Sequence, residues 1–176
     1  PFDMIENGKH TGINADYLSK LKEILGVEIV PVINHEWNGV LSDAKDGKSH
    51  GITGLPQANE YEKDFLFTQS YVSNPVVIIT KSTSKIKNIN DLKTLNTVNG
   101  NDFSAELSKE QNSKVKYFNS TIDCFNDVLD GKSDGYIGWL ADAQYLMTQN
   151  AINGLKVSVY LPSNQSALKI GVSKQN

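Results

Sequence analysis

The chain has 176 residues, 39% of them hydrophobic and 21% charged, and carries a net charge of −3. All seventeen cationic side chains are lysine, which excludes any site built on the flat bidentate fork that arginine offers to carboxylate or phosphate. The mildly acidic balance, with no basic stripe, excludes a nucleic-acid surface.

In chain order, Asn7-Gly8 marks a turn. From Asp16 to Leu25, the residues Tyr17, Leu18, Leu21, Ile24 and Leu25 recur at helical spacing, and Gly26 ends that helix. Val27, Ile29 and Val32 mostly alternate and predict a strand. Trp37, Val40, Leu41 and Ala44 predict a second helix, closed by Gly47, with a short strand at Gly51–Thr53 to follow. Val76–Thr80 is a β-branched run that predicts a buried strand. The longest apolar run, Pro75–Ile79, is far below the roughly 20 residues of a membrane helix.

The polar stretch Lys81–Lys85 reads as a crossover between two lobes. Beyond it the pattern predicts a strand at Leu95–Asn99, a helix from about Ser104, and a strand at Val115–Phe118. A helix with Ile122, Phe125 and Leu129 inward comes next, then a strand at Tyr136–Gly138. The helix Ala141–Gln149 and strands Leu155–Tyr160 and Ala167–Val172 complete an α/β alternation. Cys124 is the only cysteine and belongs on or beside the inner face of its helix. His10, His35 and His50 lack metal-ligand spacing, and no phosphate-binding or dinucleotide fingerprint is present. No metal or cofactor is expected.

One internal similarity stands out. Asp46-Gly-Lys-Ser-His-Gly-Ile-Thr-Gly54 and Asp130-Gly-Lys-Ser-Asp-Gly-Tyr-Ile-Gly138 agree at six of nine positions, 84 residues apart. Each follows an amphipathic helix and leads into a short strand ending in glycine. This predicts two lobes built on one helix–strand unit, with Thr53-Gly54 and Gly138-Trp139 beyond strand carboxyl ends, where ligands sit in open α/β sheets. The alternative is ordinary helix-to-strand punctuation used twice. His50, where the second copy has Asp134, reads as structural.

Several stretches together resemble the solute-binding proteins of family 3, the amino-acid-binding type. They are Pro1-Phe2-Asp3 through Gly12-Ile-Asn-Ala-Asp16, Trp37-Asn-Gly-Val-Leu41 with Asp46-Gly-Lys48, Ile52–Leu55 through Glu60, Phe67-Thr68 with Tyr71, Asn90-Asp-Leu-Lys93, and Ala167–Lys174. The resemblance covers nearly the whole chain. It implies a two-lobed, periplasmic-binding-protein-like type II (Venus flytrap) α/β fold, with lobe 1 at 1–80 plus 168–176 and lobe 2 at 81–167. A first strand before Pro1 and a closing helix after Asn176 have no counterpart, so the chain reads as an excised module. The wording around Thr53-Gly54-Leu55 is most similar to extracytoplasmic sensor domains of membrane histidine kinases and diguanylate cyclases. Closure around a small molecule between the lobes is then the expected signal.

The same resemblance places Phe2, Trp37, Thr53, Gly54, Leu55, Tyr61, Asn101, Asp102 and Trp139 at ligand-binding positions, with Tyr71 near the rim. Family members carry a Thr-Pro-Glu-Arg stretch whose hydroxyl and arginine hold an amino-acid ligand. Here it reads Ala58-Asn-Glu-Tyr61, and Pro56 falls where a serine is common. Trp139 stands where the family has the aspartate for the ligand amino group, and Asp102 opposes an anion at the following helix start. The expected ligand is therefore neutral or cationic, not a standard α-amino acid. The expected role is a ligand-sensing, non-enzymatic module of a membrane-anchored signalling protein, with a tandem copy as a possible neighbour. The alternatives are the binding component of an importer and a module that transmits conformation without a ligand. A dehydratase lacks its carboxylate holder here.

Overall fold

The computed structural model describes residues 1–34, 36–57, 59–101, 103, 107, 114–161 and 166–175. The helix expected from about Ser104, together with His35, Ala58 and Asp102, lies outside these. In chain order the elements are β1 (Met4–Glu6), β2 (Lys9–Thr11), α1 (Ile13–Leu25), α2 (Trp37–Lys45), β3 (Gly51–Pro56), α3 (Asn59–Glu62), β4 (Phe65–Phe67), β5 (Val72–Ser73) and β6 (Val76–Lys81). There follow β7 (Thr94–Val98), β8 (Lys114–Phe118), α4 (Thr121–Leu129), β9 (Gly135–Trp139), α5 (Leu140–Gln149), β10 (Leu155–Leu161) and β11 (Ala167–Ser173). No helix among the described residues is long and apolar enough to cross a membrane.

The chain divides into two compact units, 1–73 with 167–176 and 74–166. The division falls at 73/74 and not at the expected 80/81. The reason is the ladder: β6 is hydrogen-bonded on one side to β9 and on the other to β10, so it belongs to the second unit's sheet. Lys81–Lys85 consequently lies inside that unit.

In the first unit, β11 pairs with β3, β4 and β5, all antiparallel. The helix α2 closes one face: Ala44, Ile52, Leu55 and Phe65 are buried, with Val40, Leu41, Tyr61 and Phe67 packed against them. A separate hairpin joins β1 to β2 through Asn7-Gly8. Gly12 lets the chain start lie against α1, since a Cβ there would stand 2.6 Å from the Phe2 carbonyl oxygen and 2.7 Å from that of Pro1. Those carbonyls accept the otherwise unpaired amides of Ile13 (3.1 Å, from Pro1) and Asn14 (2.9 Å, from Phe2).

One expectation fails in this unit. Residues 27–33 form no strand, because a strand exists by pairing and this segment has no ladder partner among the described residues. Its Val30 and Val32 remain exposed. The helix α1 forms and ends at Gly26, as the spacing predicts, with Ile24 69% and Leu25 62% exposed. The helix starts at Ile13, and its one buried residue is Asn14.

The second unit is a five-stranded mixed sheet in the order β10-β6-β9-β7-β8. Period two is visible in β6. Val76 and Ile78 face a cluster with Leu92, Leu95, Phe103, Ile137 and Leu161. Val77 and Ile79 face another, with Cys124, Phe125, Val128, Tyr136 and Ala143. Both faces are covered, so the strand reads as a continuous apolar run. The helix α4 begins where the Ser120 hydroxyl accepts the Asp123 amide at 3.1 Å, and it buries Cys124 and Phe125, as the periodicity predicts.

The repeated loops have the same internal wiring. After α2, the amides of Lys48 and Ser49 both donate to the Asp43 carbonyl at 2.8 and 3.3 Å; after α4, those of Lys132 and Ser133 donate to the Asp127 carbonyl at 3.0 and 3.4 Å. Each aspartate also anchors an asparagine from elsewhere in its unit, Asn34 at 3.2 Å and Asn96 at 3.0 Å. Past this point the copies part. The Asp134 carboxylate accepts the Lys93 and Thr94 amides at 2.9 and 2.8 Å, whereas His50 contributes its backbone carbonyl to the Ser173 amide at 2.8 Å.

Candidate functional site

The strand β3 is bulged at the residues the sequence singles out. Ile52 pairs with Gly171 and Leu55 with Lys169, so Thr53 and Gly54 together oppose Ile170 alone. Gly54 adopts a left-handed conformation (φ 67). Its amide leaves the ladder and donates to the Tyr71 hydroxyl oxygen at 2.9 Å. The Tyr71 hydroxyl in turn donates to Asn14 Oδ1. Asn14, 1% exposed, donates from Nδ2 to Asp3 Oδ2 at 2.6 Å, and His10 Nε2 lies 2.7 Å from Asp3 Oδ1.

The ring of Tyr17 sits over this chain of bonds, 4.5 Å from that of Tyr71. Burial pushes the Tyr71 hydroxyl up to about 12 against the opposing pull of the Gly54 amide, and the nearby Asp3 and Tyr17 add to the rise. Sequence reasoning placed Tyr71 only at a rim and overlooked Asn14. The available signal was a polar residue, Asn14, one position inside a helix that should begin after Gly12.

Leu55 requires a correction. Its side chain is fully buried in the first unit's core, so that side chain serves packing. Thr53 is half-buried beside the bulge. Phe2 fixes the start of α1 through its carbonyl, as described above.

Trp37 and Tyr61 both belong to the first unit. Trp37 opens α2 and stays 46% exposed, while Tyr61 comes from the single turn α3 and packs against the core cluster. Burial raises the Tyr61 hydroxyl above its ordinary range; the Glu60 carboxylate raises it further, and the Trp37 indole opposes this. The neighbouring acids are engaged elsewhere. Glu62 accepts from Gln57 Nε2 at 2.7 Å, and Asp64 pairs with Lys45 at 3.1 Å.

In the second unit, Trp139 ends β9 and pairs with Val76. Its ring is half-buried, packs on the core cluster around Val76 and Ile78, and meets Phe103 edge-on at 5.8 Å. Asn101 follows the neighbouring strand β7, its amide donating to the Val98 carbonyl at 3.2 Å. Asn74, which sequence reasoning passed over, is 5% exposed and accepts the Ala141 amide at 2.9 Å. Beside it, burial raises the Asp142 carboxyl above its usual range, although the Asn74 side chain opposes the shift.

These arrangements hold polar atoms in fixed positions and leave aromatic surface open. They assemble no nucleophile with a base. Among the described residues no three His, Cys, Asp or Glu side chains converge as metal ligands.

A family model for bacterial extracellular solute-binding proteins, family 3, matches residues 1–168. The second substrate-binding domain of a putative amino acid ABC transporter from Streptococcus pneumoniae is similar in structure, with a TM-score of 0.76 at 22% identity over 99% of this chain and 80% of that one. An ancestral arginine-binding protein bound to arginine gives 0.73 at 25% identity, over 100% and 80%. An ancestral amino-acid-binding protein, a precursor of cyclohexadienyl dehydratase, gives 0.71 at 24% identity, over 99% and 76%. No curated protein sequence matches the chain.

Proposed function

The chain belongs to the bacterial extracellular solute-binding proteins of family 3, and we propose that it senses a small neutral or cationic molecule for a membrane-anchored signalling protein. Its fold is the α/β fold of type II periplasmic-binding-protein-like domains. Ligand binding is the input in this reading, and a change between the two units, passed to a membrane segment, is the output.

The observation that carries the ligand class is the bond from the Gly54 amide to Tyr71. An anionic group is held by donors, and β3 has few to give. The Gly54 amide is already engaged, Pro56 has none, and Tyr61 stands where the family places arginine. With donors withdrawn and Trp37 exposed, the balance favours a cation or an uncharged ring system. A thermal-shift screen tests this. Stabilisation by amines is expected; stabilisation by dicarboxylates or acidic amino acids, with none by amines, sinks the reading. No stabilisation by any small molecule favours a module that only transmits conformation.

A second reading, the binding component of an importer, draws on the solved relatives named for amino acid ABC transporters. A kinase or cyclase domain in the same gene as this chain decides for sensing, and co-purification with a permease decides for transport. Catalysis has weaker support. One relative is a precursor of a dehydratase, but the group that would hold a substrate carboxylate is missing at Tyr61. Incubation with prephenate, followed by absorbance, is expected to leave the substrate unchanged.

A further inference from the structure

The loop after α4, where the two repeated copies part, borders a pocket inside the second unit. Lys81, Ser84, Gly131, Ser133 and Asp134 are among the residues that line it, and its volume is about 190 Å³. Drug-sized ligands fill roughly 300–1,000 Å³, so an occupant here is smaller. The end of β6 supplies a positive charge. The Lys81 ammonium group lies 3.1 Å from where a Cβ on Gly131 would stand, so the absent side chain leaves it room. Among the described residues it makes no hydrogen bond and no ion pair. The other lysine nearby, Lys156, already donates to the Ser84 carbonyl at 2.6 Å. The loop supplies a negative charge that is only half used. Asp134 Oδ2 accepts the Lys93 amide at 2.9 Å, the Thr94 amide at 2.8 Å and the Thr94 hydroxyl at 3.1 Å. Its Oδ1 accepts nothing among the described residues. Ser133, next in the chain, is 4% exposed, and its hydroxyl oxygen accepts no hydrogen bond there either. The first copy of the loop lacks this charge, since His50 stands in place of Asp134.

Lys81 and Asp134 thus bring opposite charges to one pocket without pairing with each other. A simple anion entering it meets Lys81 but also the unused Asp134 oxygen, and a simple cation meets the reverse. A molecule with both charges, carried at separate ends, answers each. Its acidic group accepts from the Lys81 ammonium, and its own ammonium donates to Asp134 Oδ1. Such charge-assisted hydrogen bonds are roughly twice as strong as neutral ones. The second contact is also made within a molecule already held by the first. We infer that this pocket binds a small zwitterion whose ammonium and acidic groups lie at opposite ends. The inference is independent of the reading above, because no residue of the first unit takes part.

The test is a titration of the whole isotope-labelled chain with β-alanine, propionate and propylamine at constant ionic strength, read from backbone amide signals in NMR. The three compounds are close in size and differ in which charges they carry. The expected result is a saturable shift of the Gly131, Ser133 and Asp134 amides, with β-alanine binding about tenfold tighter than either singly charged compound. Lys81→Met removes the charge, keeps an unbranched side chain and is expected to abolish those shifts. The comparison of the three compounds on the parent chain stands whether or not that variant folds. Propionate binding as tightly as β-alanine takes Asp134 out of the contact and overturns the inference. Propylamine binding as tightly does the same for Lys81. Absence of a saturable shift, or shifts that survive in a folded Lys81→Met, overturn it as well. Shifts confined to Thr53 and Gly54 belong to the first unit; they overturn this inference and leave the reading of that site standing.

Discussion

The hydroxyl oxygen of Tyr71 lies 2.9 Å from the amide nitrogen of Gly54 and holds the bulge in β3 from seventeen residues further along the chain. The same hydroxyl donates to Asn14. One phenol therefore ties the first helix to the strand that carries Thr53 and Gly54.

Replacing Tyr71 with Phe removes both bonds and keeps the ring over Tyr17. The expected loss is about 1–2 kcal/mol of stability, measured by chemical denaturation. Hydrogen exchange at the Gly54 amide should accelerate by more than exchange at Leu55, whose amide is in the ladder. Equal acceleration at both positions counts against a local role for Tyr71.

Gly138→Ala should destabilise the second unit. A Cβ at this position would stand 2.0 Å from the Tyr136 hydroxyl oxygen and 2.3 Å from its ring carbon. Tyr136 is 2% exposed and packed edge-on against Phe125, so it has nowhere to move. Overpacking of this kind costs about 1–3 kcal/mol, which a lowered melting temperature will report. The Gly54→Ala variant, by contrast, meets only the Asn14 amide, at 3.3 Å, and its cost comes from the left-handed backbone.

Much of the second unit is legible in the sequence, and less of the first. Val76–Thr80 announces a strand because both its faces are buried, so composition alone carries the signal. The helix α4 announces itself because Phe125 points into a core that its own neighbours supply. Val27, Ile29 and Val32 alternate just as well, yet form no ladder, because pairing depends on a second segment that local pattern does not contain. Tyr17, Ile24 and Leu25 fall in a helix as their spacing predicts, but periodicity defines a face and leaves open what covers it. In the site, the resemblance led to Trp37 and Tyr61, which lie on α2 and α3. The bulge and the Asn14–Tyr71 bond depend on register and long-range contact, which spacing does not encode.

Alkaline pH should weaken the second unit in two stages. Burial pushes the Cys124 thiol from 9.0 to about 12 and the Tyr136 hydroxyl from 10.0 to about 12. Both groups are neutral in the native state, so their contribution is complete below about pH 9 and 10 respectively and is lost as pH rises toward about 12. Denaturation midpoints across the alkaline range will trace the decline. Cys124→Ala should remove its earlier part and leave the later part, which belongs to Tyr136.

Acid should act through Asp134. Burial alone would raise its carboxyl, but the amides of Thr94 and Lys93 and the Thr94 hydroxyl outweigh this and hold it below the ordinary 3.8. A lowered native value stabilises the fold above the unfolded value and ceases to do so as pH falls through the native one. Asp134→Asn should therefore be less stable than the parent at neutral pH and should lose less on acidification. Denaturant midpoints at neutral and acid pH measure both. Parallel loss in the two proteins refutes the assignment.

The chain enters the second unit at Asn74 and leaves it at Ser166, and there the Asn74 amide donates to the Ser166 carbonyl at 2.7 Å. The ends of that unit are thus adjacent, while its sheet draws every strand from within 74–166. It has the form of an insertion, a cassette whose removal leaves a gap that a short peptide can bridge, and joining neighbouring ends costs little chain entropy. Residues 74–166 are therefore a natural unit to express alone, permute or graft, and the first unit would be left with one seam to close.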